Sequence, residues 1–434
     1  MFPAKLSRAA LALASLSLPA SLTAQDLPGA GFALAPLPYP GLVQTATLAN
    51  GDVIVWDGAA LARHAADGTL LVTYASFLVP VYPSFIALDA SESYALFGES
   101  TNHSIARLDL GNGAMTGVAT LVFNYDAVQR SGTSWIVSAA TCGGFACGNK
   151  LYSVDANGGS TVEEADLSGP SGPVEVDAAG NVYYANQFTT SSGPASVVRL
   201  FLAAQIDGPT VLGDADGFVI GSGYAGSSDL LHDAETNRLY MAENDYLSGA
   251  NRVRIVTPSE VNAPIVVEGA TFGWITGLEL IPGSDAAVFA AFQPVSGGRL
   301  LYNTTDFWSS WARNEVRPAR PQLALSGPGA SGPGLLTIGL SGAPAQGLAL
   351  LAATPTSALM TGELPLPLLS SLPVLSPFDL AQAIVLPVSL AIDAQGGAQL
   401  SVLHQGDLLG QIAVQALAIS PDLSLLATST VALL

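Results

Sequence analysis

The phrase VDAAGNVYYAN at 176–186 returns in outline as LHDAETNRLYMAEN at 231–244 and as IALDASESYALFGES at 86–100. Each copy holds an apolar strand end, a turn opened by Asp, and a second strand rich in aromatic or β-branched residues. Aligning on that second strand extends the series. GDVIVWDG lies near 51, SYALFGES near 93, SWIVSAAT near 134, NVYYANQ near 181, RLYMAEND near 238 and AAVFAAFQ near 286, spaced by about 41 to 57 residues. A repeat of that length with four strands in each unit is the mark of a β-propeller, because one unit cannot bury its own faces and must stack on the next.

The units parse consistently. SFIAL, SYALFG, SIARLDL and MTGVATLVF make the unit from about 83, and GPVEV, NVYYA, SVVRLF and GPTVL the unit from about 172. SDLLH, RLYMA, RVRIV and APIVVEG make the unit from about 228. An insertion, GDADGFVIGSGYAGSS at 213–228, follows the fourth unit, and the segment 26–40 before the first unit is available to add a strand to the last. Between Arg320 and Glu363 no charged residue occurs, but Gly and Pro are too dense there for a membrane-spanning helix. The later runs AIVLPVSLAID, AQLSVLHQ, QIAVQALAIS and SLLATSTVALL read as strands. The expected fold is therefore all-β, a six-bladed β-propeller followed by a small immunoglobulin-like β-sandwich. Its boundaries are a signal peptide at 1–24, the propeller at 25–316, a Pro-stiffened linker at 317–322 and the sandwich at 323–434.

The N-terminal segment has Lys5 and Arg8 ahead of an apolar run from Ala9 to Leu18, with small residues at Ala20 and Ala24. That order is the one export reads, and the apolar core is short for a membrane anchor. The protein is expected outside the cytoplasm: extracellular, periplasmic or on the cell surface. Cleavage after Ala24 leaves 12 basic and 34 acidic residues, a net charge of −22, with Lys150 the one remaining lysine. Such a surface repels phosphate backbones, so nucleic acid is not an expected partner, and a charged partner is expected to be a cation. Cys142 and Cys147 flank a Gly-Gly turn in TCGGFACGNK, and in an exported chain this spacing points to a local disulfide; a metal-bound or catalytic thiol is the alternative.

VDAAGNVYYAN and HDAETNRLYMAEN resemble NHL repeats and the blades of the gluconolactonase and regucalcin family, in which an Asp-x-x-Gly-Asn turn leads into a Leu/Val-Tyr-x-Ala strand. The resemblance spans about 41–316, with two units matching well. It implies a propeller with a metal on the channel axis, and places Asn186, Glu243 and Asn244 among the residues that hold it. The tail, through GAPAQGLALLAA and DAQGGAQLSV, resembles a C-terminal domain appended to secreted proteins of environmental bacteria.

In a propeller the ends of the second strands converge on one mouth. Those ends are Asp57, Glu99 with Asn102, the Cys142 loop, Asn186, Glu243 with Asn244 and Asp245, and Gln293. Carboxylates and amides are the oxygen donors that calcium takes, so Glu99, Asn186, Glu243 and Asn244 form the candidate metal set, against the plainer reading that they cap strands at a solvated rim. Asp126 and Asp229 begin innermost strands, and His232 and His103 are placed near the same mouth. No complete catalytic set appears, and no glycine loop or nucleophile elbow is present. The reading is a secreted binding or scaffold protein that holds a small molecule, a glycan or a protein on a propeller face. The alternative is a calcium-dependent lactonase-like hydrolase with its site in the channel. N-terminal sequencing of the exported protein is expected to begin at Gln25; a start at Met1 in the exported fraction would remove the signal-peptide reading.

Overall fold

The computed structural model describes residues 27–28, 32–37, 44–78, 81–142, 148–186, 196–234, 238–245, 247–259, 263, 265–269, 273–281, 299–305, 311–318, 321–343, 347–366, 374–378, 383–393, 396–406, 409–419, 426–429 and 431–434. The expected signal peptide lies outside them. The chain is all-β, built of antiparallel sheets each made largely from consecutive strands. The first sheet is Gln44–Thr47, Val53–Trp56, Ala60–His64 and Leu70–Ser76. The second is Pro83–Leu88, Tyr94–Glu99, Ser104–Asp109 and Met115–Thr120. The third is Asn124–Ser131, Ser134–Ala140, Asn149–Asp155 and Thr161–Leu167, and the fourth Val174–Val176, Val182–Ala185, Ser196–Phe201 and Phe218–Tyr224. The fifth is Ser227–Asp233, Arg238–Asn244, Asn251–Ile255 and Ile265–Glu268, with Leu27–Pro28 added at its outer edge. The sixth is Trp274–Ile281, Arg299–Thr305 and Trp311–Pro318, completed by Phe32–Leu37.

The innermost strands neighbour one another in cyclic order, the sixth returning to the first. This is why the second strands carry unbroken apolar runs rather than an alternation. Val53–Trp56 and Tyr94–Glu99 are buried at every position, since each lies between two neighbouring sheets. The outermost strands behave oppositely, and Leu70–Ser76 is exposed at five of its seven positions. Separate hydrophobic clusters fill the wedges between the first and second, second and third, third and fourth, and fourth and fifth sheets. In the wedge between second and third, the Trp135 ring lies 6.1 Å from Tyr94 and its indole N–H donates to the Tyr94 hydroxyl at 3.1 Å. The Arg107 guanidinium stands 3.9 Å over the Tyr94 ring.

The seam between the sixth and first sheets is different. Its buried apolar cluster is small, Val53 and Val55 with Leu37 beside them. A polar network does the joining: Thr45 donates to Glu279, Arg313 donates to Glu279 at 3.1 Å and to Thr47, and Asn303 donates to Thr45 at 2.7 Å.

The recurring turn is built on its Asp side chain. Asp177 Oδ1 accepts from the main-chain N–H groups of Ala179 and Asn181, both at 2.9 Å, while Gly180 takes φ of 81°. Asp89 repeats the device, accepting from Tyr94 N–H at 2.7 Å, with Glu92 at φ 54° in the left-handed position. Burial acts to raise both carboxyls, but the hydrogen bonds they accept outweigh it and hold them below the usual range. In these two phrases the Asp pins the hairpin from the innermost to the second strand.

Two expectations about strands need correction. In the fourth sheet the outer strand is Phe218–Tyr224, inside the stretch read as an insertion, rather than GPTVL. A helical turn at Ala203–Ile206 carries the chain away first, and Leu212 instead bridges to Ala165 at the edge of the third sheet. In the sixth, AAVFAAFQ lies outside the described residues, and the strand paired with Trp274–Ile281 is Arg299–Thr305. The idea that the N-terminal segment supplies a strand to the last sheet agrees with the pairing of Phe32–Leu37 to Trp311–Pro318.

The C-terminal strands form sheets of their own. Gln322–Ser326, Gly334–Ser341 and Ala398–His404 make one; Ile384–Ala391, Leu348–Pro355, Ile412–Ile419 and Leu426–Thr428 make another, with Ala432–Leu433 also on Ile412–Ile419. Leu359–Leu366 pairs with Val374–Phe378. Gly334–Ser341 and Leu348–Pro355, consecutive in the uncharged run, lie in different sheets. Gly334–Ser341 alternates buried with partly exposed positions, as a half-covered sheet requires, and Leu348–Pro355 does so over its first four residues. Their buried residues Leu336, Ile338 and Leu351 join the cluster that includes Leu300 and Val316 of the sixth sheet. No helix among the described residues is long and apolar enough to cross a membrane.

Trp135→Ala is expected to cost about 3–5 kcal/mol in urea unfolding, from the cavity left between two sheets. Removing residues 25–40 is expected to lower the melting temperature and broaden the transition, because the third strand of the sixth sheet loses the strand paired along its outer edge; unchanged melting would show that the seam closes without it.

Candidate functional site in the central channel

The innermost strands enclose a cavity of about 1500 Å³. All six contribute to its wall, through Thr45, Ile86, Asp126, Glu175, Asp229 and Glu279 among others. Tyr125 reaches from the third sheet past the short strand of the fourth and donates from its hydroxyl to Ser228 O at 3.0 Å on the fifth. Much of the wall is apolar, but the wall also carries five carboxyl groups, Asp57, Asp126, Glu175, Asp229 and Glu279. No Lys, Arg or His among the described residues lines it.

Asp126 and Asp229 occupy equivalent places. Each sits just after a bulge at the start of its innermost strand, Asp126 opposite Ser138 and Asp229 opposite Ala242. Each reaches the next sheet: Asp126 accepts from Val174 N–H at 3.0 Å and Asp229 from Leu278 N–H at 2.5 Å. Glu175 lies on the intervening sheet and accepts from its neighbour Val176 at 2.8 Å. Burial pushes Asp126 up to about 6 against its two N–H donors. Burial first, and then the charge of Asp126, push Glu175 up to about 8. Burial and the charges of Asp126 and Glu175 raise Asp229 well above the ordinary carboxyl range. Glu279 is set apart by its ion pair with the buried Arg313, at 3.1 Å.

The residues singled out in the sequence hold strand ends together. Glu99 accepts from the main-chain N–H of Asn102 at 2.8 Å and from Ser104 Oγ at 2.7 Å. Glu243 pairs with Arg254 at 2.6 Å and accepts from Ala225 N–H at 2.9 Å. Asn244 clamps the fifth sheet to the sixth, donating to Ile275 O at 2.9 Å and accepting from Ile275 N–H at 3.1 Å. Asn186 donates to Ser168 O at 3.0 Å and to Tyr184 Oη at 3.2 Å. Of these four, Asn244 alone lines the channel cavity. Among the described residues no three His, Cys, Asp or Glu side chains are grouped closely enough to hold a metal ion. Gln293 and Cys147 lie outside the described residues, which include no free cysteine.

His103 and His232 do not share a mouth. His103 follows the second strand of its sheet, where its Nδ1 accepts from Phe123 N–H at 3.2 Å. His232 stands at the far end of its innermost strand, opposite Leu239, stacked 5.5 Å from Tyr183 and close to the Asp177 turn. An innermost strand spans the whole channel, so its last residues emerge on the opposite face from its first. Tyr184 and Tyr224 are buried between sheets, while Trp274 lines the channel.

Glu175 and Glu279 are the site residues that sequence reasoning missed. A signal was present: each is a carboxylate inside an otherwise apolar innermost strand, VEV and WITGLELI. Such a placement is costly unless the strand faces a channel.

The sheets and their cyclic order define the class, a β-propeller protein. No protein-family model and no curated protein matches the chain. Similar solved structures include the PQQ domain of a pyranose dehydrogenase from Coprinopsis cinerea, at 11% identity and TM-score 0.49, covering 67% of this chain and 97% of that one. A gluconolactonase from Xanthomonas campestris is similar at 14% identity and TM-score 0.47, covering 67% of this chain and 91% of that one. The WD40 domain of a Toxoplasma gondii coronin is similar at 12% identity and TM-score 0.39, covering 64% and 69%.

The raised carboxyls set a sign for stability. The folded protein keeps protons on Asp126, Glu175 and Asp229 that the unfolded chain releases near about pH 4. Their favourable contribution is full below that value and is lost as pH rises through about 6 for Asp126 and about 8 for Glu175. The lowered Asp89, Glu99 and Asp177 act in the other direction, losing theirs as pH falls below the unfolded values. Calorimetric melting temperature is expected to decline from mildly acidic to alkaline pH, and Glu175→Gln to flatten that decline; an unaltered slope would mean that Glu175 is not protonated in the fold.

Proposed function

We propose that this protein is an exported ligand-binding protein that holds its ligand in the propeller channel. The observation that carries the reading is the cavity of about 1500 Å³ on which all six innermost strands converge. Typical small-molecule pockets have about 300–1,000 Å³, so there is room for a ligand of several rings or a short extended chain. In this proposal the six sheets are six blades, bounded at 25–316, and 323–434 forms an immunoglobulin-like sandwich beyond a linker at 317–322. The signal peptide at 1–24 directs export, and a Cys142–Cys147 disulfide closes one loop of the third blade. The charged, apolar and small residues in order along the N-terminal segment support an extracellular, periplasmic or surface location, and the strong negative charge disfavours nucleic acid.

A thermal-shift screen of glycans, peptides and small molecules on the mature protein is expected to give ligands whose effect disappears in Gly277→Leu, which adds a side chain beside Asn303 and Asp229 in the channel wall. Ligands that shift wild type and variant equally would place binding elsewhere and remove this reading.

A second reading, hydrolysis in the same cavity, is favoured by the separation of Asp126 near 6 from Glu175 near 8. Neighbouring carboxyls pushed apart in this way suit a base and an acid. At neutral pH Asp126 is then the carboxylate that draws a proton from water, and Glu175 the acid that protonates the leaving oxygen. In a metal-dependent form Glu99, Asn186, Glu243 and Asn244 would be the residues to hold calcium; only Asn244 of them lines the cavity, and Glu243 would have to release Arg254. Lactone or ester turnover with a bell-shaped profile between about 6 and about 8, lost in Glu175→Gln, is the expected result of this reading. Calcium that binds wild type but not Glu243→Ala in calorimetry would support the metal-dependent form.

A further inference from the structure

We propose that the ligand of the channel is an organic cation, a molecule carrying amine groups on an extended apolar frame. The inference rests on the reading of the channel as a binding cavity and names the chemical class of its occupant. Its first support is the charge imbalance of the wall, where carboxyls from the third, fourth and fifth sheets face a space into which no described basic side chain projects. The Arg313 guanidinium neutralises Glu279 on the sixth sheet and Asp57 is exposed at the end of its second strand, so the buried group without a basic partner is Asp126, Glu175 and Asp229.

The second support is independent of charge. Asn303 is 3% exposed and lines the same cavity. Its Nδ2 donates to Thr45, but its Oδ1 has no partner. A buried carbonyl oxygen without a donor keeps its desolvation penalty uncompensated, and a ligand N–H recovers it. Thr276 Oγ1, one residue from Gly277, likewise lacks a partner. Gly277 keeps this corner open: a Cβ there would stand 3.4 Å from Asn303 Nδ2 and 3.7 Å from Asp229 Oδ2. The Asn303 amide and the Asp229 carboxyl thus border one gap, and an ammonium group suits both an amide oxygen without a donor and a carboxyl, because it donates and carries positive charge.

The carboxyls are distributed over three sheets without forming a group that grips a metal ion. That spacing suits separated ammonium groups better than a point charge. Each of the three already accepts main-chain N–H bonds, so its remaining lone pairs are what a ligand meets. Binding is also linked to protons. Around Glu175 stand Asp126, Asp229, the Tyr183 hydroxyl and the main-chain N–H of His232. An arriving ammonium reverses the balance that keeps Glu175 protonated, and the proton passes to the buffer.

The test is calorimetric titration of the full mature protein with diaminooctane, octanediol and octanedioate, which share one frame and differ in charge. The diamine is expected to bind about tenfold more tightly than the diol, with the dioate weakest. Repeating the diamine titration in buffers of different ionisation enthalpy is expected to show proton release at neutral pH. Glu175→Gln and Asp126→Asn, both close in shape to the native residues, are expected to weaken the diamine about tenfold and leave the diol unchanged. Circular dichroism checks that each variant is folded, and the three-ligand comparison on wild type stands without them. Diol or dioate binding in the channel as tightly as diamine would overturn the cation and leave the cavity reading intact. Failure of all three to bind would overturn the cation together with that reading.

Discussion

Burial of the second strand on both of its faces is the constraint from which the rest of this structure follows. A strand such as Tyr94–Glu99 has no polar side to offer water, so its sheet needs a neighbour above and below. Open stacking leaves two terminal sheets uncovered, and a ring leaves none. The aromatic contacts between consecutive sheets, Trp56 on Phe97 at 5.2 Å and Trp135 on Tyr94, fill the widening wedge toward the periphery. Large rings bury the most apolar area per residue, which is why they recur there.

Closing a ring from one chain requires a seam, and here the seam is polar. Phe32–Leu37 completes the sixth sheet from the opposite end of the propeller sequence, so the first and last sheets are held by hydrogen bonds that do not depend on chain order. At the joint, Arg313, Glu279, Thr45, Thr47 and Asn303 take the place that apolar side chains take elsewhere. Directional bonds fix the register of closure more narrowly than apolar packing does. Glu279 and Asn303 also line the channel, so the seam and the candidate site share side chains.

The channel is a by-product of the ring that carries chemistry. Innermost strands turn one face to a space into which the rest of the fold does not pack, and of the carboxyls buried there Glu279 is neutralised by Arg313 while Asp126, Glu175 and Asp229 have no basic side chain beside them in the wall. The residues that end the second strands have the opposite character. Glu99, Asn186, Glu243 and Asn244 look like ligands in one dimension, yet their oxygen and nitrogen atoms are spent on strand ends, Arg254 and the next sheet.

Strand and turn chemistry was legible along the chain because it is local. Asp177 pins its hairpin through bonds to residues two and four positions away, so DAAGN announces itself wherever it occurs. The order of strands within most sheets was equally legible, since neighbours in sequence pair. Where the chain departs from that rule the sequence was misleading: Phe218–Tyr224 was hidden behind a helical turn, and Arg299–Thr305 carries no phrase that marks it as a second strand. The repeat by itself determined that sheets must stack around an axis. Only the tertiary structure decided which carboxyls share the interior, because Asp126, Glu175 and Asp229 are about 50 residues apart in sequence and their charges interact only when three separate sheets bring them to one low-dielectric space.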